Sequence, residues 1–159
     1  MRTGQLARIR IRKSWIVATA SVFVIFTLIG CGSSGSNSPV SSFPIYVEPA
    51  LVAQGQQVYL RNCFECHGDD QQRPLLPSAP AHNEVGHTWH HQDRLLVDWI
   101  LDGVPFATTM PIFRDTLTET EVVAAIAYIK TFWSPEVRDR QTEGSLEYEK
   151  QLAEFNLEP

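Results

Sequence analysis

Cys63-Phe64-Glu65-Cys66-His67 is the stretch on which the reading of the whole chain turns. Two cysteines separated by two residues admit several chemistries. A thioredoxin-like redox pair belongs in a strand–helix–strand setting, and no segment here alternates as a strand. A zinc ribbon needs four ligands, and no second cysteine pair exists. A plain disulfide is the remaining alternative. The adjoining histidine decides against it, because Cys-x-x-Cys-His is the attachment signal for c-type haem. Two thiols three positions apart near a helix end lie on one side, where each can add to a haem vinyl group. The next residue then comes under the iron as proximal ligand. Cys63, Cys66 and His67 are therefore the expected attachment points of one covalent haem c.

The iron has a second axial position to fill. After the motif the only methionine is Met110, in Thr108-Thr109-Met110-Pro111. Proline disfavours helical geometry in the residue before it, so Met110 is held extended in a loop that can point its sulphur inward. A lone methionine is more often a core filler. The loop, the proline and the haem signal together favour ligation, so His67 and Met110 are the expected metal ligands. His82, His87, His90 and His91, with Trp89 among them, leave three readings open. They can be a hydrogen-bonded loop over the haem edge, which is favoured, a second copper or zinc site, or the source of the sixth ligand. Arg94 and Trp99 can meet haem propionates, with packing an equal role for Trp99.

Outward from the motif the chain reads as helices joined by proline-bearing loops. Leu51 to Asn62 carries Leu51, Val52, Val58, Tyr59 and Leu60 at roughly helical spacing. Asp93 to Asp102 groups Leu95, Leu96, Trp99 and Ile100, with Gly103 where a C-terminal glycine belongs. Thr118-Glu119-Thr120-Glu121 fits a capping box, and Val122, Ile126, Ile129 and Trp133 then recur on one helical face up to Pro135. The fold class is all-α. A core from so short a domain is modest. A bound haem adds an apolar partner for Leu60, Leu76, Leu96, Trp99, Ile112 and Phe113.

The haem motif after a first helix, the Met-Pro loop and a last helix ending Ala127-Tyr128-Ile129-Lys130-Thr131-Phe132-Trp133 resemble a small class I bacterial cytochrome c, over about residues 50–135. The resemblance implies about three main helices and long loops wrapped around one haem. It also implies one-electron transfer at a six-coordinate iron, with His67 and Met110 at the ligand positions. First and last helices of that family cross closely, and Gly55, Tyr59 and Tyr128 match the crossing positions. A proline carbonyl takes the hydrogen bond of the proximal histidine. Pro74, Pro77 and Pro80 all qualify, with Pro74 favoured. In place of the family's glycine-rich run after the motif stands Asp69-Asp70-Gln71-Gln72-Arg73.

The ends of the chain concern address. Arg2, Arg8, Arg10, Arg12 and Lys13 precede an uncharged, mostly apolar run from Trp15 to Ile29. That is the layout of a secretory signal, shorter than the roughly 20 residues of a membrane-spanning helix. Leu28-Ile29-Gly30-Cys31 resembles the lipobox of bacterial lipoproteins, whose cysteine is lipidated and becomes N-terminal after cleavage. The expected organisation is a signal over 1–30, a Gly/Ser/Pro tether over 31–49, a haem domain over 50–135 and a charged tail over 136–159. The tether would hold the domain on the order of 20 Å from its lipid. The tail's apolar stripe of Leu146, Tyr148, Leu152 and Phe155 predicts a short helix. The three cysteines are then all accounted for, Cys31 by lipid and the others by haem.

All 18 acidic residues follow residue 30, against 8 of the 13 basic ones. A body so acidic does not seek phosphate backbones, which argues against nucleic acid as a partner. It suits a redox protein with a basic docking patch. The expected function is a one-electron carrier, exported and lipid-anchored through Cys31, facing the periplasm or the cell exterior. It is either free or a subunit of a membrane redox complex, and in neither case an enzyme by itself. The alternative is a haem enzyme or sensor with a labile sixth ligand, a peroxidase or gas binder.

Overall fold

The computed structural model describes residues 43–157 apart from Gln72, Phe106 and Thr108, and without the side chains of Asn156 and Leu157. The expected signal, Cys31 and most of the tether lie outside the described residues. Five α-helices follow in order: α1 (Pro49–Asn62), α2 (Phe64–His67), α3 (Asp93–Asp102), α4 (Glu119–Ile129) and α5 (Pro135–Leu157). Single 3-10 turns cover Thr88–His90 and Lys130–Phe132. Among the described residues there is no strand, and no helix is long and apolar enough to cross a membrane.

Local chemistry sets the helix ends. Pro49 opens α1 after an extended Glu48. There its missing N–H costs nothing and its fixed φ suits a helix. α4 starts on the capping box read from the sequence. Thr118 Oγ1 accepts from the Glu121 N–H at 3.3 Å, and the Glu121 carboxylate accepts from the Thr118 N–H at 2.8 Å. The Thr118 N–H and the Thr118 hydroxyl both donate to the Glu121 carboxylate and hold it below its usual range. α3 ends at Gly103, whose φ of 107° excludes most side chains.

α4 is buried along Val122–Ala127 and at Ile129, because it packs against both α1 and α3. Its crossing with α1 is close enough that a Cβ on Gly55 would lie 1.8 Å from the Ala124 carbonyl oxygen. Above that contact Tyr59 packs on Tyr128 and Phe132, with ring centroids 5.4 and 5.7 Å apart. The expected family crossing is thus present at the expected residues.

The C-terminal third differs from the sequence reading. The α-helix ends at Ile129 rather than running to Trp133, and Pro135 does not stop a helix but begins one. Proline breaks a helix interior and is tolerated at its first turn, so the residue alone does not say which. The expected short tail helix is 23 residues long. It is docked through Gln141 and Ser145, both buried, and through Glu149.

Its dock is a buried polar cluster. Asp93 at the start of α3 is 0% exposed and Lys130 is 1% exposed. The Asp93 carboxylate accepts from Lys130 Nζ (2.8 Å), the Ile45 N–H (2.7 Å) and Gln141 Nε2 (2.8 Å). The Asp93 N–H donates to Ser145 Oγ at 3.0 Å, and Lys130 also donates to the Ile45 carbonyl at 2.7 Å. Burial lowers the Lys130 pKa while Asp93 raises it. The cluster ties the N-terminal strap at residues 43–48, α3, the end of α4 and α5 to one point.

Candidate functional site

The Cys63–His67 motif spans the end of α1 and the single turn of α2. Cys63 ends α1, its N–H bonded to the Tyr59 carbonyl at 2.8 Å. The single turn of α2 follows, with Cys66 and His67 both donating back to the Cys63 carbonyl at 3.1 and 2.9 Å. One helical turn therefore carries both thiols and the imidazole. Gly68 then leaves with φ of 67°, and its carbonyl accepts the Tyr59 hydroxyl at 2.7 Å. Both cysteines are free thiols. Burial, and then Cys66 beside it, push the Cys63 thiol up to about 12.

His67 is buried, and its Nδ1 lies 2.8 Å from the Pro80 carbonyl oxygen. A carbonyl only accepts, so Nδ1 carries the proton and the Nε2 lone pair is free. Burial lowers the His67 pKa, against the opposing effect of the Pro80 hydrogen bond. A neutral imidazole with its far nitrogen unprotonated is the form that binds a metal. The favoured Pro74 is thus corrected to Pro80. The loop after Gly68 folds back, with Leu76 N–H on the Cys66 carbonyl (3.2 Å) and Ala79 N–H on that of Leu76 (2.9 Å). That path carries Pro74 past and delivers Pro80 to the imidazole.

Cys63, Cys66, His67 and Met110 line one cavity of about 230 Å³. Its remaining wall is mostly apolar, including Leu76, Leu96, Trp99, Val104, Phe113 and Ile126. Met110 and Pro111 come from the loop between α3 and α4. That loop is pinned at its far end by Phe113 N–H to the Ile100 carbonyl (3.2 Å) and Arg114 N–H to that of Leu101 (3.0 Å). Arg114 also grips Asp102 in a bidentate pair. A flat apolar macrocycle fits this chemistry: greasy walls, two thiols at one edge, an imidazole lone pair and a thioether.

Several expectations change. Leu60 and Ile112 are exposed and do not line the cavity. Arg94 does not face it either. Its guanidinium grips Glu149 of α5 and stacks on Phe43 at 4.6 Å. The histidines divide. His82, His87 and His91 line the cavity, while His90 lies outside it, stacked on Trp89 at 3.6 Å. Among the described residues no three or more His, Cys, Asp or Glu are grouped to hold a further metal ion. The His82 ring lies face to face with that of His67, 4.1 Å between centroids. Burial, then His67 and His87, push its pKa well below the usual range.

Sequence reasoning missed the stacked pair and the cluster around Asp93 and Lys130. A lysine following an apolar helix reads as its solvated end, and nothing in its neighbours says otherwise.

No solved structure matches the chain. A family model described as cytochrome c oxidase, cbb3-type, subunit III matches residues 50–129, half of the chain, and the chain belongs to that family. The all-α cytochrome c fold and a haem-based role in electron transfer come with that membership.

Proposed function

We propose that the protein is a one-electron carrier holding one covalent haem c, with Cys63 and Cys66 as thioether anchors and His67 and Met110 as axial ligands. The observation that carries this is the single cavity onto which all four side chains open. Bound there, the haem supplies a reversible one-electron couple. The chain's own residues do the rest. The Pro80 carbonyl holds the Nδ1 proton of His67, which keeps Nε2 presented as a lone pair. The pinned loop keeps Met110 at the cavity, and a thioether ligand raises the potential relative to two histidines. Apolar walls exclude water and limit rearrangement as the charge changes. With Met110 as the sixth ligand the iron would keep no open position for a reacting ligand, which is what separates this reading from the peroxidase or gas-binding alternative.

The acidic body would steer association with a basic patch on a redox partner, in a salt-sensitive way. The lipobox at Cys31 supports an exported, lipid-anchored protein, and an anchor raises its effective concentration near membrane complexes. The family's name supports a place as a cytochrome subunit of a terminal oxidase. Optical spectra test the ligand set. The ferric protein should show the Met–Fe(III) charge-transfer band, and the ferrous protein should not bind carbon monoxide. Met110→Ala should lose the band, bind carbon monoxide and lower the reduction potential. Ready carbon monoxide binding by the unaltered protein would overturn the carrier reading.

A further inference from the structure

The hydrogen bond to Pro80 fixes only part of the His67 geometry. It anchors Nδ1, so that a single hydrogen bond opposes rotation of the ring about Cβ–Cγ. A face contact is what fixes a plane, and His82 provides one. Its ring lies 4.1 Å from that of His67 with 19° between the planes. His82 is itself held. Its Nδ1 lies 2.8 Å from Thr88 Oγ1, its carbonyl accepts Trp133 Nε1 at 2.6 Å, and the Tyr59 ring meets it edge-on at 6.0 Å. Thr88 is buried, and the loop joining it to His82 closes tightly. A Cβ on Gly86 would lie 1.9 Å from the Ala81 carbonyl oxygen. The two partners therefore have little room to separate.

We infer that His82 is a positioning residue that, braced by Thr88, clamps the plane of the His67 imidazole. This rests on His67 being an axial ligand, as proposed above. Aromatic pairs held in an offset stack resist rotation of either ring, and groups around a ligating histidine orient it and tune the metal. The plane of an axial imidazole governs how unpaired spin spreads over the haem, so the clamp has a spectroscopic signature that stability alone does not.

The test compares ferric holoprotein with His82→Ala, His82→Phe and Thr88→Val by proton NMR of the hyperfine-shifted haem methyls, with optical spectra alongside. His82→Ala should stay low-spin but narrow the methyl spread, because the freed ring averages over several planes. His82→Phe keeps a flat ring against His67 and should restore the spread. Thr88→Val removes only the brace and should narrow the spread by less. If His82→Ala does not take up haem, Thr88→Val decides alone. A wild-type spread in Thr88→Val and in any His82→Ala that matures overturns the clamp. So does His82→Phe behaving like His82→Ala. Failure of the underlying reading is separate: it shows in the unaltered protein, as a ferric spectrum without a histidine-ligated low-spin iron.

Discussion

Residue by residue, the chain places polar groups in two kinds of buried setting. At His67 one nitrogen is bound to Pro80, and the proposed function uses the other as a metal ligand. At Asp93 and Lys130 the setting is architectural, with both side chains out of solvent and each holding further backbone or side-chain partners. Breaking such a pair is costly because the remaining charge is stranded, typically by about 3–5 kcal/mol. Lys130→Met should therefore lower the urea-unfolding free energy of the holoprotein by about that amount. A loss below about 1 kcal/mol, in the range of exposed pairs, would mean that the pair is solvated in solution. The exposed pair Lys150–Glu147, 3.9 Å apart on α5, belongs to that weaker kind.

At the scale of elements, the crossing of α1 on α4 sets the floor of the cavity, since Cys63 is the residue that ends α1 and Ile126 and Ile129 on α4 line the wall. The crossing depends on Gly55, where a methyl group would run into backbone. Backbone yields less readily than a side chain, so Gly55→Ala should destabilise by at least the 1–3 kcal/mol usual for overpacking, about a residue's worth of core. Thermal unfolding of the holoprotein checks this, and an unchanged midpoint would mean that the helices cross further apart. This contact was legible in advance. The helical spacing of α1, the capping box of α4 and the small residue between aromatics are local patterns that survive folding. The features that were not legible are non-local. Nothing near Pro80 distinguishes it from Pro74, because the choice is made by hydrogen bonds from Leu76 and Ala79 that shape the intervening loop. Arg94 reads as a haem partner until α5 brings Glu149 to it. Pro135 is the same residue whether a helix stops or starts there, and only the packing of the residues after it decides.

Over the whole molecule, α1 to α4 and their loops enclose a mostly apolar cavity lined also by two thiols, an imidazole and a thioether. α5, which lies beyond the residues matched by the family, is fastened to the N-terminal strap and α3 by the Asp93 cluster. The cavity wall is apolar surface that a small domain can ill leave to water, so the haem is structural as well as electronic in this account. In the proposed function, the acidic balance and the lipobox-like stretch ending at Cys31 would supply a membrane address and a kind of partner. All of it depends on the haem being bound through Cys63 and Cys66. Intact mass spectrometry of the protein matured in a host that attaches c-type haem tests that most directly. The account predicts the mass of the chain plus one haem, surviving denaturation and lost in a Cys63→Ala/Cys66→Ala variant. A denatured wild-type chain with no added haem mass would contradict it.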